Sequence, residues 1–281
     1  MSSRLDGRER ADADAVAGLL AGTAPLGVAF SGGVDSAVLL ALAVRTLGAD
    51  GVLALLAVSP SLAADERADA HRVAGHIGAH LVEFRTFEGE NPAYRANGAD
   101  RCFHCKDELF TRISADVARH HGLRAVAYGE NADDVLRPDR PGARAATAHR
   151  VLRPLAEAGL TKERVRAIAR ALDLPCSDKP AAPCLASRIP HGHEVTPAKL
   201  AQIEQAEHAL RVAGFSDWRV RHHGDIARIE VPVAEIARFA DAALRGEVLR
   251  AVRAAGFRHV TVDLAGIMSG AFTLEVISRR A

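Results

Sequence analysis

The chain has 281 residues, of which 48% are apolar and 25% charged, with a formal net charge of +1. This excludes a disordered chain, leaves room for one medium and one small domain, and supplies no global attraction for a polyanion, which argues against long nucleic-acid substrates. No apolar run reaches the length of a membrane span, and Met1-Ser2-Ser3-Arg4 leads into charge rather than into a signal-peptide core, so the expected location is the cytoplasm.

Residues 11 to 22 alternate Ala, Asp and Leu at helical spacing and predict an N-terminal helix. The apolar run Leu26 to Phe30 then reads as a buried strand, and Ala37 to Val44 as a helix, with Ser31-Gly32-Gly33-Val34-Asp35-Ser36 between them. In a strand–glycine loop–helix order, adjacent glycines let backbone N–H groups turn inward around an anion, and the helix start adds open donors and partial positive charge. Ser31 and Ser36 can donate hydroxyls to phosphate oxygens, while Asp35 can cap the helix or hold Mg²⁺. A glycine pair alone would suit an ordinary turn; both serines and the aspartate in register favour phosphate. The Walker lysine is missing, and no Gly-x-x-x-x-Gly-Lys-Ser/Thr occurs in the chain.

Val52 to Val58 is a continuous apolar strand ending at Ser59; a helix over 64–78, a strand over 81–84, a helix over 106–120 and a strand over 125–128 ending at Gly129 follow. Strands alternating with helices predict an α/β fold with a doubly wound parallel sheet, whose ligands bind at the strands' carboxyl ends. The glycine loop, Ser59 and Gly129 all fall at that edge. Residues 130–160 lack clean periodicity, and so long a loop reads as functional. From Thr161, Val165, Ile168, Ala169 and Leu172 follow helical spacing and stop near Pro175.

A connector over 175–192 with Pro175, Pro180, Pro183 and Pro190 marks the boundary between an expected adenylation domain, 1–185, and a smaller α+β domain, 186–281, for substrate binding and oligomerisation. In the latter, Thr196-Pro197 starts a helix with Leu200, Ile203 and Leu210 on one face, closed by Gly214. Strands over 218–221 and 227–231, helical segments over 233–255 and a strand over 259–264 complete it.

Four cysteines without an export signal read as thiols or metal ligands rather than a disulfide framework. Cys102-Phe103-His104-Cys105 alone is ambiguous between a redox pair, half a metal site and two buried thiols. Cys184, among prolines and close to Arg188, shifts the balance, because a nearby cation would populate the thiolate. Three thiolates are one short of an all-protein zinc site but match an iron–sulfur cluster with one iron open; Cys176 reads as packing at a helix end or as a fourth ligand. Arg219 and Arg221 share a strand face and suit a phosphate or carboxylates, against the alternative of a solvated face; Glu207, mid-helix, reads as a surface residue. His191, His193, His222 and His223 show no metal spacing.

The loop Ser31 to Ser36 resembles the pyrophosphate loop of the PP-loop ATP pyrophosphatases, among them NAD synthetase, GMP synthetase and several tRNA thiolases, and implies adenylation rather than kinase chemistry. From about residue 26 to 265 the chain further resembles the LarE family, the pyridinium-3,5-bisthiocarboxylic acid mononucleotide synthases. The carriers are Ser31 to Ser36, Gly129 to Asp134, Arg137-Pro138, Pro154 to Lys162, Lys179 to Gly192 and Arg219 to Glu230, the last two being the most selective. The resemblance implies that ATP with Mg²⁺ adenylates a pyridinium carboxylate and that sulfur displaces AMP, for the nickel-pincer cofactor of lactate racemase.

Ser31, Gly32, Gly33, Asp35, Ser36, Ser59 and Gly129 would serve the nucleotide, with Asp35 catalytic, and Cys184 would occupy the sulfur-bearing position. Cys102 and Cys105 match the members that hold a [4Fe-4S] cluster on three cysteines, here with Cys184, and use a reusable sulfide; members with one cysteine give up its own sulfur. Arg219 and Arg221 would bind substrate phosphate or carboxylate, with Ser187, Arg188 and Glu207 near the phosphate or metal, in a homo-oligomer. Two departures stand out: Asp139-Arg140 interrupts the family's Arg-Pro-Gly run, and Cys176 replaces a common aromatic. The competing readings are a tRNA thiolase, an ammonia-using amide synthetase, which would leave Cys184 without a purpose, and a non-catalytic nucleotide-binding module.

Overall fold

A computed structural model describes residues 5–136 and 142–267. Arg137-Pro138 and Asp139-Arg140 lie outside the described residues. The chain divides into two compact units, one of residues 1–88 with 102–182 and one of 89–101 with 183–281.

The first unit is the expected α/β layer structure. Strands β1 (Leu26–Ala29), β2 (Val52–Val58), β3 (His80–Arg85) and β4 (Ala125–Tyr128) form a four-stranded sheet in the order β3-β2-β1-β4. All three pairings are parallel, with Leu26 opposite both Val52 and Ala125. Because side chains alternate across a strand, β2 divides its residues between two apolar layers. Ala54 and Leu56 face a core built with helices α1 (Gly7–Leu20), α2 (Val34–Leu47) and α3 (Ala64–Ile77). Leu53 and Leu55 face a second core with Phe110, Ile113 and Val117, from helix α4 (Arg101–Arg112) and the π-helical turn Ile113–Val117 that continues it. Burial on both faces explains why β2 reads as an uninterrupted apolar run. The outer edge of β4 is covered at Leu152, whose N–H donates to the Val126 carbonyl at 2.8 Å.

Chain order and space diverge at β1. The chain moves outward from β1 to β3, then returns to place β4 on the other side of β1. The loops after β1 and β4 therefore flank the switch point at which such sheets bind ligands. Residues 130–160, read as one aperiodic loop, contain short helices at Ala132–Val135, Gly142–Ala148 and Pro154–Glu157; each is too short to display a 3.6-residue stripe. Helix α5 (Lys162–Ala171) follows, capped by Thr161, whose Oγ1 accepts from Arg164 N at 3.4 Å.

In the second unit, helix α6 (Pro197–Val212) carries Leu200, Ile203, Ala206 and Leu210 as a buried stripe. Strands β5 (Arg219–His223), β6 (Ile226–Glu230) and β7 (His259–Val262) make a three-stranded sheet, β5 antiparallel and β7 parallel to β6. The helical segments expected over 233–255 are two: a 3-10 segment, Val233–Ala240, precedes helix α7 (Ala242–Ala254), and Asp241 Oδ1 caps α7 by accepting from Leu244 N at 2.8 Å. A side chain that satisfies a free helix-start amide begins a new helix there. Among the described residues no helix is long and apolar enough to cross a membrane.

Leu39 of α2 is completely buried in the first core. Leu39→Ala is expected to lower stability by about 3 kcal/mol, and Leu19→Ala, on the exposed side of α1, by about 0.5 kcal/mol; urea unfolding of the two variants checks the contrast.

Candidate functional site

The turn after β1 is tight because Gly32 sits at φ +74°, and a Cβ there would stand 2.9 Å from the Cα of Ala70 on α3. Only glycine meets both demands. The Ser31 and Ser36 hydroxyls come within 3.2 Å of each other. Ser31 Oγ accepts from Gly33 N at 3.4 Å, and Ser36 Oγ donates to the Gly33 carbonyl at 3.0 Å. Gly33 occupies the cap position of α2 with no side chain bonded to the first-turn amides. Those donors therefore remain available to an anion.

Asp35 does not cap α2, one of the two roles read for it from sequence. It lies inside the first turn, and its carboxylate pairs with the Lys162 ammonium and accepts from Asn131 Nδ2 at 3.2 Å. Lys162 opens α5, where its backbone N–H donates to Asp133 Oδ2 at 2.8 Å. The Walker lysine is thus missing from the loop, but a lysine from another element stands beside it. Lys162 and Asn131 had no assigned role in the sequence reading; a lysine directly after the Thr161 cap was the available signal.

Gly129 closes the other wall. A Cβ on it would meet Ser36 N at 2.7 Å and the Asp35 carbonyl carbon at 2.8 Å. Both are backbone atoms that cannot swing aside. Beyond it, Glu130 and Asn131 are buried. Burial, with the Glu130 carboxylate beside it, pushes the Tyr128 phenol well above its ordinary pKa, so it stays protonated, and the Lys106 ammonium lies 4.4 Å from its ring centroid. Ser59, at the end of β2, donates to Glu88 Oε1 and accepts from Ser61 N at 3.2 Å. Glu88 is buried, and its second oxygen has no hydrogen-bond partner among the described residues.

Cys102 and Cys105 occupy the first turn of α4, three residues apart and so on one helix face. Cys102 is exposed, Cys105 half-buried, and none of the four cysteines is in a disulfide. Cys176 packs in the first core, and burial raises its thiol pKa. Among the described residues no group of three or more His, Cys, Asp or Glu side chains is gathered as a metal site.

In the second unit, Cys184 is exposed and caps a 3-10 turn, Leu185–Arg188, in which Ser187 N donates to the Cys184 carbonyl at 2.9 Å. Arg188 is buried. Its Nε and Nη2 bond Glu207 Oε1 and Oε2 at 2.8 and 3.0 Å, while Nη1 bonds the Pro183 carbonyl at 2.6 Å and Ser187 Oγ at 2.9 Å. Glu207 is therefore not the surface residue its mid-helix position suggested. It is 7% exposed and also accepts from Val220 N of β5 at 2.9 Å; a partner from a distant loop and an edge amide make the buried carboxylate tolerable.

Arg219 and Arg221 share a parity on β5, as expected, but their environments differ. Arg221 is buried, bonded to both Glu230 oxygens at about 3 Å and to the Ser187 carbonyl at 3.1 Å. Arg219 is partly exposed and bonded to Asp217 at 2.7 Å. Arg228 pairs with Glu230 at 3.0 Å and Asp263 at 3.6 Å. The cysteine-bearing turn thus rests on arginines that each have a carboxylate partner, which orients their donor forks.

Comparison with known proteins returns two kinds of relation. The asparagine synthase family matches residues 10–232. An uncharacterized protein of Synechocystis is 42% identical over 243 residues, 86% of this chain and 90% of the relative. The pyridinium-3,5-bisthiocarboxylic acid mononucleotide synthase of Lactiplantibacillus plantarum is 36% identical over 243 residues, 86% of this chain and 87% of the relative. An uncharacterized protein of Methanocaldococcus jannaschii is 27% identical over 168 residues, 60% of this chain.

The thiols differ in exposure and acidity, which predicts an order of reaction. At pH 8 iodoacetamide is expected to label Cys102 and Cys184 first and to leave Cys176, buried with a raised pKa, unmodified until the protein is denatured. Peptide mapping by mass spectrometry reads the order, and early labelling of Cys176 would contradict its place in the core.

Proposed function

Because the chain belongs to the LarE family of pyridinium-3,5-bisthiocarboxylic acid mononucleotide synthases, we propose that it is an ATP-dependent sulfurtransferase that converts a carboxylate of a pyridinium-3,5-biscarboxylic acid mononucleotide into a thiocarboxylate. A carboxylate oxygen attacks the α-phosphorus of ATP, the bond to the β-phosphate oxygen breaks, and pyrophosphate leaves. A sulfur nucleophile then attacks the activated acyl carbon, and AMP departs with its oxygen. Adenylation is needed because a carboxylate is a poor electrophile and its oxygen a poor leaving group.

The loop of Ser31, Gly32, Gly33 and Ser36 is suited to the pyrophosphate, since converged hydroxyls and open helix-start amides stabilise charge that builds on the leaving group. Asp35 offers a carboxylate of the kind that Mg²⁺ selects, and Lys162, already paired with it, is a cation that can turn to phosphate when Mg²⁺ takes its place. Ser59 and Gly129, at the same sheet edge, line the nucleotide side. Bound Mg²⁺ would supply charge neutralisation at the phosphates.

In the second unit Cys184 is the sulfur-bearing residue. Arg219 and Arg221 are assigned to the substrate's phosphate or carboxylates, with Ser187, Arg188 and Glu207 near the phosphate or metal; the carboxylate partners of Arg188 and Arg221 hold the guanidinium planes still. The donor chemistry of Cys102, Cys105 and Cys184 fits a [4Fe-4S] cluster, three soft thiolates of which two share a helix face. When bound, the cluster would supply a sulfide that leaves Cys184 intact; without it, Cys184 Sγ forms an acyl thioester as AMP leaves, and loss of the Cα proton with cleavage of the Cβ–Sγ bond releases the thiocarboxylate and leaves dehydroalanine at position 184. We assign the enzyme to the cytoplasm, as a homo-oligomer acting in nickel-pincer cofactor synthesis.

The observation that carries this reading is the serine–glycine loop converged on an uncapped helix start, in a chain related along most of its length to a bisthiocarboxylic acid mononucleotide synthase. The asparagine synthase match favours a second reading, amide formation from ammonia, in which Cys184 would be dispensable.

Anaerobically purified protein is expected to release pyrophosphate from ATP and form a thiocarboxylate with the pyridinium-3,5-biscarboxylic acid mononucleotide. Cys184→Ala should keep pyrophosphate release within about threefold and lose thiocarboxylate by about a hundredfold or more. Undiminished product in that variant would end the sulfur-transfer role of Cys184. About four irons per chain, lost in Cys102→Ala, would support the cluster; iron-free wild type after anaerobic reconstitution would leave Cys184 as the sacrificial donor.

A further inference from the structure

Residues 89–101 belong to the second unit although the whole of 102–182 intervenes before that unit resumes. What this segment does there is visible at two side chains. Asn97 is completely buried and adopts φ +56°, a left-handed conformation rare for a residue with a side chain. Its Nδ2, with two hydrogens, lies within hydrogen-bond distance of three carbonyls that share them, those of Ile189 at 3.2 Å, Pro190 at 2.8 Å and His193 at 3.0 Å. Its own carbonyl accepts from Gly192 N at 3.1 Å. Arg101, also buried, donates from Nη1 to Asn97 Oδ1 at 2.6 Å and to the Ala186 carbonyl at 2.9 Å.

Apart from the Arg101–Asn97 bond, these contacts fall within ten residues after Cys184. From within, the segment is held by Arg188 Nη1 on the Pro183 carbonyl at 2.6 Å and by His193 N on the Pro190 carbonyl at 3.1 Å. Pro183 and Pro190 lack N–H groups, and the turn at Leu185–Arg188 is closed by Ser187 N to Cys184 O at 2.9 Å and Ile189 N to Ala186 O at 3.2 Å. Buried carbonyls need partners, and here the side chains of Asn97 and Arg101 supply them. Beside Arg188 and Arg221, which bond the Pro183 and Ser187 carbonyls, the conformation of the Cys184 turn is therefore held from a segment more than eighty residues earlier in the chain.

We propose that Asn97 and Arg101 are positioning residues, a clamp that holds the Cys184 turn in the conformation from which sulfur is delivered. The inference rests on the proposed function for the role of Cys184. Arg101 is followed directly by Cys102, so the same clamp fixes the point at which the chain leaves the second unit for the Cys102–Cys105 turn. The side-chain bonds of Asn97 and Arg101 described above serve the turn that carries Cys184, so the clamp is expected to act on sulfur transfer rather than on adenylation.

The test uses the full chain. Asn97→Gly tolerates the left-handed backbone but removes the amide, Arg101→Met removes the donors, and Arg101→Lys keeps one cationic donor. Amide exchange over 184–193 is expected to quicken about tenfold in Asn97→Gly and Arg101→Met while 219–230 keeps its protection. With ATP, Mg²⁺ and the pyridinium-3,5-biscarboxylic acid mononucleotide, pyrophosphate formation should stay within about twofold as thiocarboxylate formation falls about tenfold or more, partly restored in Arg101→Lys. The clamp is overturned if exchange over 184–193 is unchanged, if 219–230 loosens equally, or if both half-reactions fall together. Should wild type form no thiocarboxylate, the functional reading fails, and the exchange comparison by itself decides whether the clamp exists.

Discussion

The nucleotide side of this protein depends on a contact between two backbones. The loop leaving β4 passes so close to the start of α2 that a single added carbon on Gly129 would overlap the Ser36 amide and the Asp35 carbonyl carbon. That approach is available because β4 lies next to β1 in the sheet, and β4 is held there by apolar layers on both faces. Asn131, two residues past Gly129, then reaches Asp35. Sheet order, packing and loop chemistry form one chain of dependence, and the serine–glycine loop is shaped at its end.

Charge is arranged throughout as pairs. Asp35 meets Lys162, Arg188 meets Glu207, and Arg221 meets Glu230. Buried ion pairs contribute little net stability against apolar replacements, since desolvation offsets attraction. What they do supply is orientation. A guanidinium held by both oxygens of a carboxylate has one plane available to it, and an aspartate held by a lysine and an amide has its carboxylate fixed in direction. Lys162 offers the loop a positive charge from α5, which accounts physically for a phosphate loop without a lysine of its own.

The four thiols fall into two environments. Cys176, in the core, is held as a thiol by burial, while Cys102 and Cys184 reach solvent. Cys102 and Cys105 are carried by the first turn of helix α4, whereas Cys184 sits on a short 3-10 turn whose position rests on side chains that tie it down. For Cys184 those are Arg188 from within the turn and Asn97 and Arg101 from outside it. The short segment 89–101 therefore matters beyond its length.

The strands of both sheets, the capped helices at Thr161 and Thr196, and the glycine loop were legible in the sequence, because periodicity, capping and turn chemistry act over a few residues. The stretch 130–160 was not, because its helices are shorter than the pattern that reveals a helix. By itself the sequence determined the α/β class, the serine–glycine loop between a strand and a helix, and where along the chain the four cysteines fall. Only the tertiary structure decided that Glu207 is buried against Arg188, that Asp35 pairs with Lys162 instead of capping its helix, and that Asn97 holds carbonyls from 189 to 193. Those partners are separated by 19 to 127 residues along the chain. No local pattern encodes such a pairing; it exists only once the core has brought the segments together.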